Sequence, residues 1–300
     1  MSWLELTIQT KESDTESVSD FLEQANAVSI TWKAADEQAL FEPDLNTTPL
    51  WQRVEVNALF SEDTSMSDLM AALRREFDDK TILKSSFKVV PDKCWERVWL
   101  DDFKAMRFGK RLWVCPTTME PPDPAGVIVR LDPGLAFGTG THPSTALCLE
   151  WLDAHVQSGQ TLIDYGCGSG ILAIAALKCG AKKVFAVDHD QQAIEATQAN
   201  ARQNAILPEQ ISCLFPQQLV QDIKVDVLMA NILAKPLMDL AKLFKQHLKK
   251  DGLCVLAGIL SEQVESIQQC YVEQGFSCVD VQHKHEWARI VFSLPNTLRT

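Results

Sequence analysis

TLIDYGCGSG, residues 161–170, decides how the rest of this 300-residue chain is read. Thr161 to Ile163 have the character of a buried strand end, and ILAIAALK, 171–178, that of a helix packed on a sheet. Gly166, Gly168 and Gly170 lie between them at alternate positions. Glycine turns the backbone tightly and admits a ligand where a Cβ would collide. A strand, glycine loop and helix in succession also set free backbone N–H groups and the positive helix end beside a ligand. The dinucleotide fingerprint G-x-G-x-x-G needs its third glycine where Ile171 stands. Asp164, two residues before the first glycine, repels a pyrophosphate but accepts hydrogen bonds from an ammonium group. Both features disfavour an NAD-dependent oxidoreductase. A glycine-rich turn with no ligand is the plain alternative.

Downstream, strand and helix patterns alternate. Residues 183–187 read as a buried strand with Asp188 at its tip, where this class of α/β sheets grips a ribose. Asp190 is the better cap for the helix that follows, since Ala193, Ile194 and Thr197 come after it in helical register. Strands are expected at 211–215, 225–230 and 253–257, the last after an Asp251-Gly252 turn, with helices at 236–247 and 261–274. Segments 277–283 and 287–294 form a closing antiparallel hairpin. The whole is a doubly wound, mostly parallel seven-stranded Rossmann-like sheet with one reversed strand. Strand carboxyl ends share one crevice, which gathers Asp164, Gly166, Gly168, Asp188 and Asn231. Asn231 begins Asn-Ile-Leu-Ala straight after a strand, where its amide can accept a hydrogen bond from a nucleophilic nitrogen. A helix-capping Asn is the other reading.

Upstream, 132–145 (DPGLAFGTGTHPST) carries glycines at 134, 138 and 140 ahead of a helix opened by Pro143. Residues 111–115 and 127–131 read as strands around a proline-rich turn. Residues 94–108, with Trp95, Trp99 and Phe103 spaced four apart, read as a connecting helix. Before it, alternation at Leu4, Leu6 and Ile8 and later segments give the order β-α-β-β-α-β, a small ferredoxin-like α+β domain. In that domain Ser65 or Ser67 caps the second helix. The expected division is 1–92 for substrate recognition, 93–108 for a linker helix and 109–300 for the catalytic domain.

Composition is that of a globular protein, 46% hydrophobic and 23% charged. The start lacks a basic segment followed by an apolar run, and no apolar run is long enough to span a bilayer, so a cytoplasmic protein without membrane contact is expected. Nine cysteines without a C-x-x-C pair argue against a disulfide framework or a metal site. Of the net charge of −12, residues 1–95 hold −9, from 18 acidic and 9 basic side chains. Such a module repels nucleic acid and attracts basic partners; a merely solubilising surface is the commoner meaning of that charge.

Asp-x-Gly-x-Gly-x-Gly resembles motif I of the class I S-adenosylmethionine-dependent methyltransferases. Asn231-Ile-Leu-Ala resembles the Asn-Pro-Pro-aromatic element of amine methyltransferases but departs at both prolines and the aromatic, so any cation–π contribution comes from elsewhere or is absent. Together with LDPGLAFGTGTHPST and WERVWLDDFKAMRFG, these stretches resemble, over the full length, the bacterial methyltransferases of large-subunit ribosomal protein eleven. The resemblance implies that Phe137 and Thr145 contact S-adenosylmethionine, Gly166 and its neighbours cradle the methionine moiety, Asp188 holds the ribose, and Asn231 meets cofactor and amine. It also implies an acidic first module that captures a basic ribosomal protein, and direct methyl transfer to lysine or N-terminal amines without metal. An amine methyltransferase of another protein or of a small molecule is the nearest alternative.

Overall fold

The computed structural model describes residues 2–36, 50–91, 104–132 and 140–295, and the chain falls into two compact units, Met1–Val98 and Trp99–Thr300. The first unit runs β1 (Ser2–Lys11), α1 (Thr15–Gln24), β2 (Ser29–Ala34), β3 (Arg53–Ser61), α2 (Met66–Glu76) and β4 (Lys84–Pro91). Its sheet order is β2-β3-β1-β4, every neighbouring pair antiparallel, which is the ferredoxin-like arrangement. Alternation in β1 and β3 sends Leu6, Ile8, Val54, Val56, Ala58 and Phe60 into one core with Val18 and Leu22 of α1 and Leu69 and Leu73 of α2. Of the two candidate caps for α2, Ser65 accepts the Asp68 N–H.

The second unit opens with a three-stranded sheet, β5 (Met106–Phe108), β6 (Leu112–Cys115) and β7 (Val127–Arg130), in which β6 and β7 run parallel. Residues 93–103 of the expected linker helix lie outside the described residues. At its far end the expectation fails: Met106–Phe108 is a strand paired with β6, not helix. Asp153 fixes the β5–β6 turn, its carboxylate accepting the N–H groups of Lys110 and Arg111.

Then come α3 (Pro143–His155), β8 (Thr161–Tyr165), α4 (Ile171–Lys178), β9 (Lys183–Val187), α5 (Gln191–Gln203), β10 (Ile211–Leu214), β11 (Val225–Asn231), α6 (Ala234–His247), β12 (Leu248–Leu260), α7 (Val264–Glu273), β13 (Ser277–Lys284) and β14 (Trp287–Ser293). The sheet order is β10-β9-β8-β11-β12-β14-β13, and β14 alone is reversed. Alternate residues feed two cores. Leu162, Val227, Met229 and Val255 pack beneath α3 and α4, whereas Ile163, Leu228, Cys254 and Leu256 pack beneath α6 and α7. β12 begins earlier than expected: Leu248 pairs with Val225 and Leu253 with Val227, so Asp251 (φ 59) sits in a bulge inside the strand rather than in a turn before it. No helix among the described residues is long and apolar enough to cross a membrane. The eight cysteines among the described residues are free, and these residues contain no cluster of metal-ligating side chains.

Candidate functional site

The carboxyl ends of β8, β9 and β11 lie side by side, with Asp164 opposite Met229 and Tyr165 opposite both Ala230 and Val187. The glycine loop leaves β8 here. Gly166, Gly168 and Gly170 all have positive φ, which explains why no side chain is carried at these positions. A Cβ on Gly166 would stand 2.4 Å from Ile232 Cγ2, and one on Gly258 would stand 2.4 Å from the Ile232 carbonyl oxygen. A glycine of the loop and one within β12 thus clasp Ile232 and fix where Asn231, the last residue of β11, projects.

The loop differs from the sequence expectation in one respect. Its amides are not free donors. Gly166 and Cys167 donate to the Val187 carbonyl, Gly168 donates to Asp188 Oδ2 at 2.9 Å, and Gly170 donates to the Cys167 carbonyl. The start of α4 is closed as well, because Ala173 N–H donates to Asp164 Oδ2 at 2.9 Å. In a dinucleotide site, phosphate oxygens occupy such positions. Here the chain's own carbonyls and carboxylates do. The loop offers a shaped wall flanked by acids, which suits an uncharged nucleoside with a cationic tail.

Asp188 is buried, and besides Gly168 it accepts the Asp190 N–H, while Asp190 caps α5 through Gln192 N–H. The assignment of the cap to Asp190 therefore holds. Asp164 is buried deeper, and Oδ1 has no hydrogen-bond partner among the described residues. Burial pushes its pKa up to about 7, the Ala173 N–H opposes this, and the Asp188 charge adds to it. Asn231 Nδ2 donates to Thr145 Oγ1 at 3.2 Å, and Thr145 sits in the first turn of α3, where His142 accepts the Ser144 N–H as cap. The structure thus joins Asn231 to Thr145 and Gly168 to Asp188. Phe137 lies outside the described residues, as do Gly134 and Gly138.

The family model for "Ribosomal protein L11 methyltransferase (PrmA)" matches residues 2–295. The chain belongs to this family. A ribosomal protein L11 methyltransferase of Shewanella sp. (strain ANA-3) is 47% identical over 290 residues, covering 97% of this chain and 98% of the relative. One from Shewanella baltica (strain OS195) is 45% identical over the same length. Among solved structures, a ribosomal protein L11 methylase from Lactobacillus delbrueckii subsp. bulgaricus matches with 33% identity and a TM-score of 0.59, covering 65% of this chain and all of that one.

The enzyme is an S-adenosylmethionine-dependent methyltransferase, and its geometry fits that cofactor. The loop amides are closed to phosphate, and Asp188 presents a carboxylate beside the glycine wall. Sequence reasoning missed three contributors: Ile232 between its glycines, and Thr197 and Asn200 of α5, which hold loop carbonyls. The polar side chains of α5 were the available signal.

Proposed function

We infer that this enzyme transfers methyl groups from S-adenosylmethionine to amino groups of ribosomal protein L11, at lysine side chains, the N-terminal amine or both. The cofactor supplies an electrophilic methyl group on a sulfonium centre. Gly166 and Gly168 would form the wall against its methionine moiety, Asp188 would hold the ribose hydroxyls, and Phe137 and Thr145 would contact the cofactor. Asp164 would support the loop from beneath and add negative potential for the cationic end.

The observation that carries the reading is the Asn231 amide, anchored through Nδ2 to Thr145. That bond leaves Oδ1 to accept a hydrogen bond from the incoming amine and orient its lone pair. The amine must arrive neutral, since an ammonium has no lone pair and a free lysine has a pKa near ~10.4. Desolvation lowers that value, and alignment supplies much of the rate. Ala234 stands where related amine methyltransferases carry an aromatic and is buried, so this tetrapeptide brings no cation–π contact. The acidic character of residues 1–95 suits capture of a basic ribosomal protein in the cytoplasm.

Mass spectrometry of unmodified L11, incubated with the enzyme and S-adenosylmethionine, tests this directly. Mass gains in single-methyl steps, mapped to amines, are expected. No gain, with cofactor binding intact, would overturn the substrate and leave the fold and cofactor standing.

A further inference from the structure

We propose that Thr197 and Asn200, one turn apart on α5, are positioning residues that set the peptide planes of the glycine loop for the cofactor. The inference rests on the S-adenosylmethionine reading above and extends it to a helix that holds none of the expected ligand contacts. Thr197 is completely buried, and its hydroxyl donates to the Gly168 carbonyl at 3.0 Å. Asn200 Nδ2 donates to the Ser169 carbonyl at 2.8 Å. These are consecutive peptide units at the centre of the loop. In a trans peptide the N–H and C=O point in opposite directions, so tying both carbonyls to α5 determines where the following N–H groups face.

Gly168 N–H, in the unit before these two, goes to Asp188, and Gly170 N–H, in the second of them, goes to the Cys167 carbonyl. The loop is therefore held from two sides, by β9 through Asp188 and by α5 through two uncharged side chains. Thr197 also fills the space a Cβ on Gly170 would need, with Cγ2 and Oγ1 both 2.8 Å from that point. Three glycines in a short loop leave a backbone with many accessible conformations, and hydrogen bonds to its carbonyls select one. One turn further on, Asn204 takes the N–H and C=O of Arg130 at 2.7 Å each. The helix and its C-cap residue thus hold the loop and the end of β7.

Paired substitutions separate positioning from bulk stability. Thr197→Val keeps the shape and removes the hydroxyl, whereas Thr197→Ser keeps the hydroxyl and removes the methyl group against Gly170. Asn200→Ala removes the second bond at a half-buried site. Calorimetry with S-adenosylmethionine, thermal melting, and hydrogen exchange of the 161–172 segment in the ligand-free protein are the readouts. Thr197→Val and Asn200→Ala are each expected to weaken cofactor binding about tenfold and to speed exchange in that segment. Thr197→Ser is expected to lower the melting temperature while retaining near-native affinity. Affinity that follows melting temperature across all three variants would overturn the positioning role, as would unchanged affinity in Thr197→Val. Failure of the unaltered enzyme to bind the cofactor would overturn the cofactor reading itself.

Discussion

Asn231 and Thr145 are 86 positions apart in sequence, yet the amide nitrogen of one donates to the hydroxyl of the other at 3.2 Å. The bond joins the end of β11 to the first turn of α3 and determines which face of the amide is presented to an acceptor amine. Asn231→Ala is expected to lower kcat on the order of a hundredfold while weakening cofactor binding much less, because misplacing a reactant costs rate before affinity. Thr145→Val, which frees the amide to rotate, is expected to lower kcat by a smaller factor. Equal losses in kcat and cofactor affinity for Asn231→Ala would show that Asn231 serves cofactor binding alone.

Periodicity made much of this fold legible. The α4 and β9 boundaries read from the sequence match the structure, because an uninterrupted apolar run between glycine and lysine leaves little choice. The paired carboxyl ends, and so the neighbourhood of Asp164, Asp188 and Asn231, followed from alternating strands and helices. The strand Met106–Phe108 is not legible, because three residues carry no decisive period and the aromatic spacing before them extends a helical pattern. The start of β12 is not legible either, because Asp-Gly stands equally well in a turn between strands and inside a bulge. The closing of the loop amides was not legible at all. It depends on φ at three glycines and on partners from β9, which no local pattern encodes.

The clasp on Ile232 separates two kinds of collision. Gly166→Ala costs about 1–2 kcal/mol for its positive φ, plus the overlap with Ile232 Cγ2. Adding Ile232→Ala removes that methyl group, so the double variant is expected to recover part of the Gly166→Ala loss in chemical denaturation. Gly258→Ala meets the Ile232 backbone instead, and Ile232→Ala is expected to give no rescue there. Equal rescue at both glycines would contradict the clasp.

Charge in the amino-terminal module leads to a prediction about substrate capture. Residues 1–95 carry a net −9, and a basic protein substrate is steered toward such a surface. The kcat/KM for intact L11 is expected to fall on the order of tenfold between ~0.05 and ~0.5 M salt, as screening shortens the reach of the field. Cofactor affinity, measured in parallel, should change little. A flat salt profile for L11 would remove electrostatic steering from the account of capture.

Asp164 links the site to stability. Its pKa in the folded protein is pushed up to about 7, first by burial and then by the Asp188 charge, against an ordinary value near ~4 in the unfolded chain. Between those values the folded state binds more protons than the unfolded state, so this group's contribution falls as pH rises from about 4 to about 7 and is flat above that. Asp164→Asn keeps an oxygen for the Ala173 N–H and removes the buried charge. The variant is therefore expected to gain in melting temperature relative to the parent at pH 8, with the difference shrinking toward pH 5. Cofactor affinity decides what the charge does for the ligand. A carboxylate that serves mainly to close α4 leaves affinity within about threefold in Asp164→Asn, whereas one that adds potential for the cationic end costs tenfold or more at pH 8. A variant less stable than the parent at pH 8 would show that Asp164 is ionised at little cost in the fold.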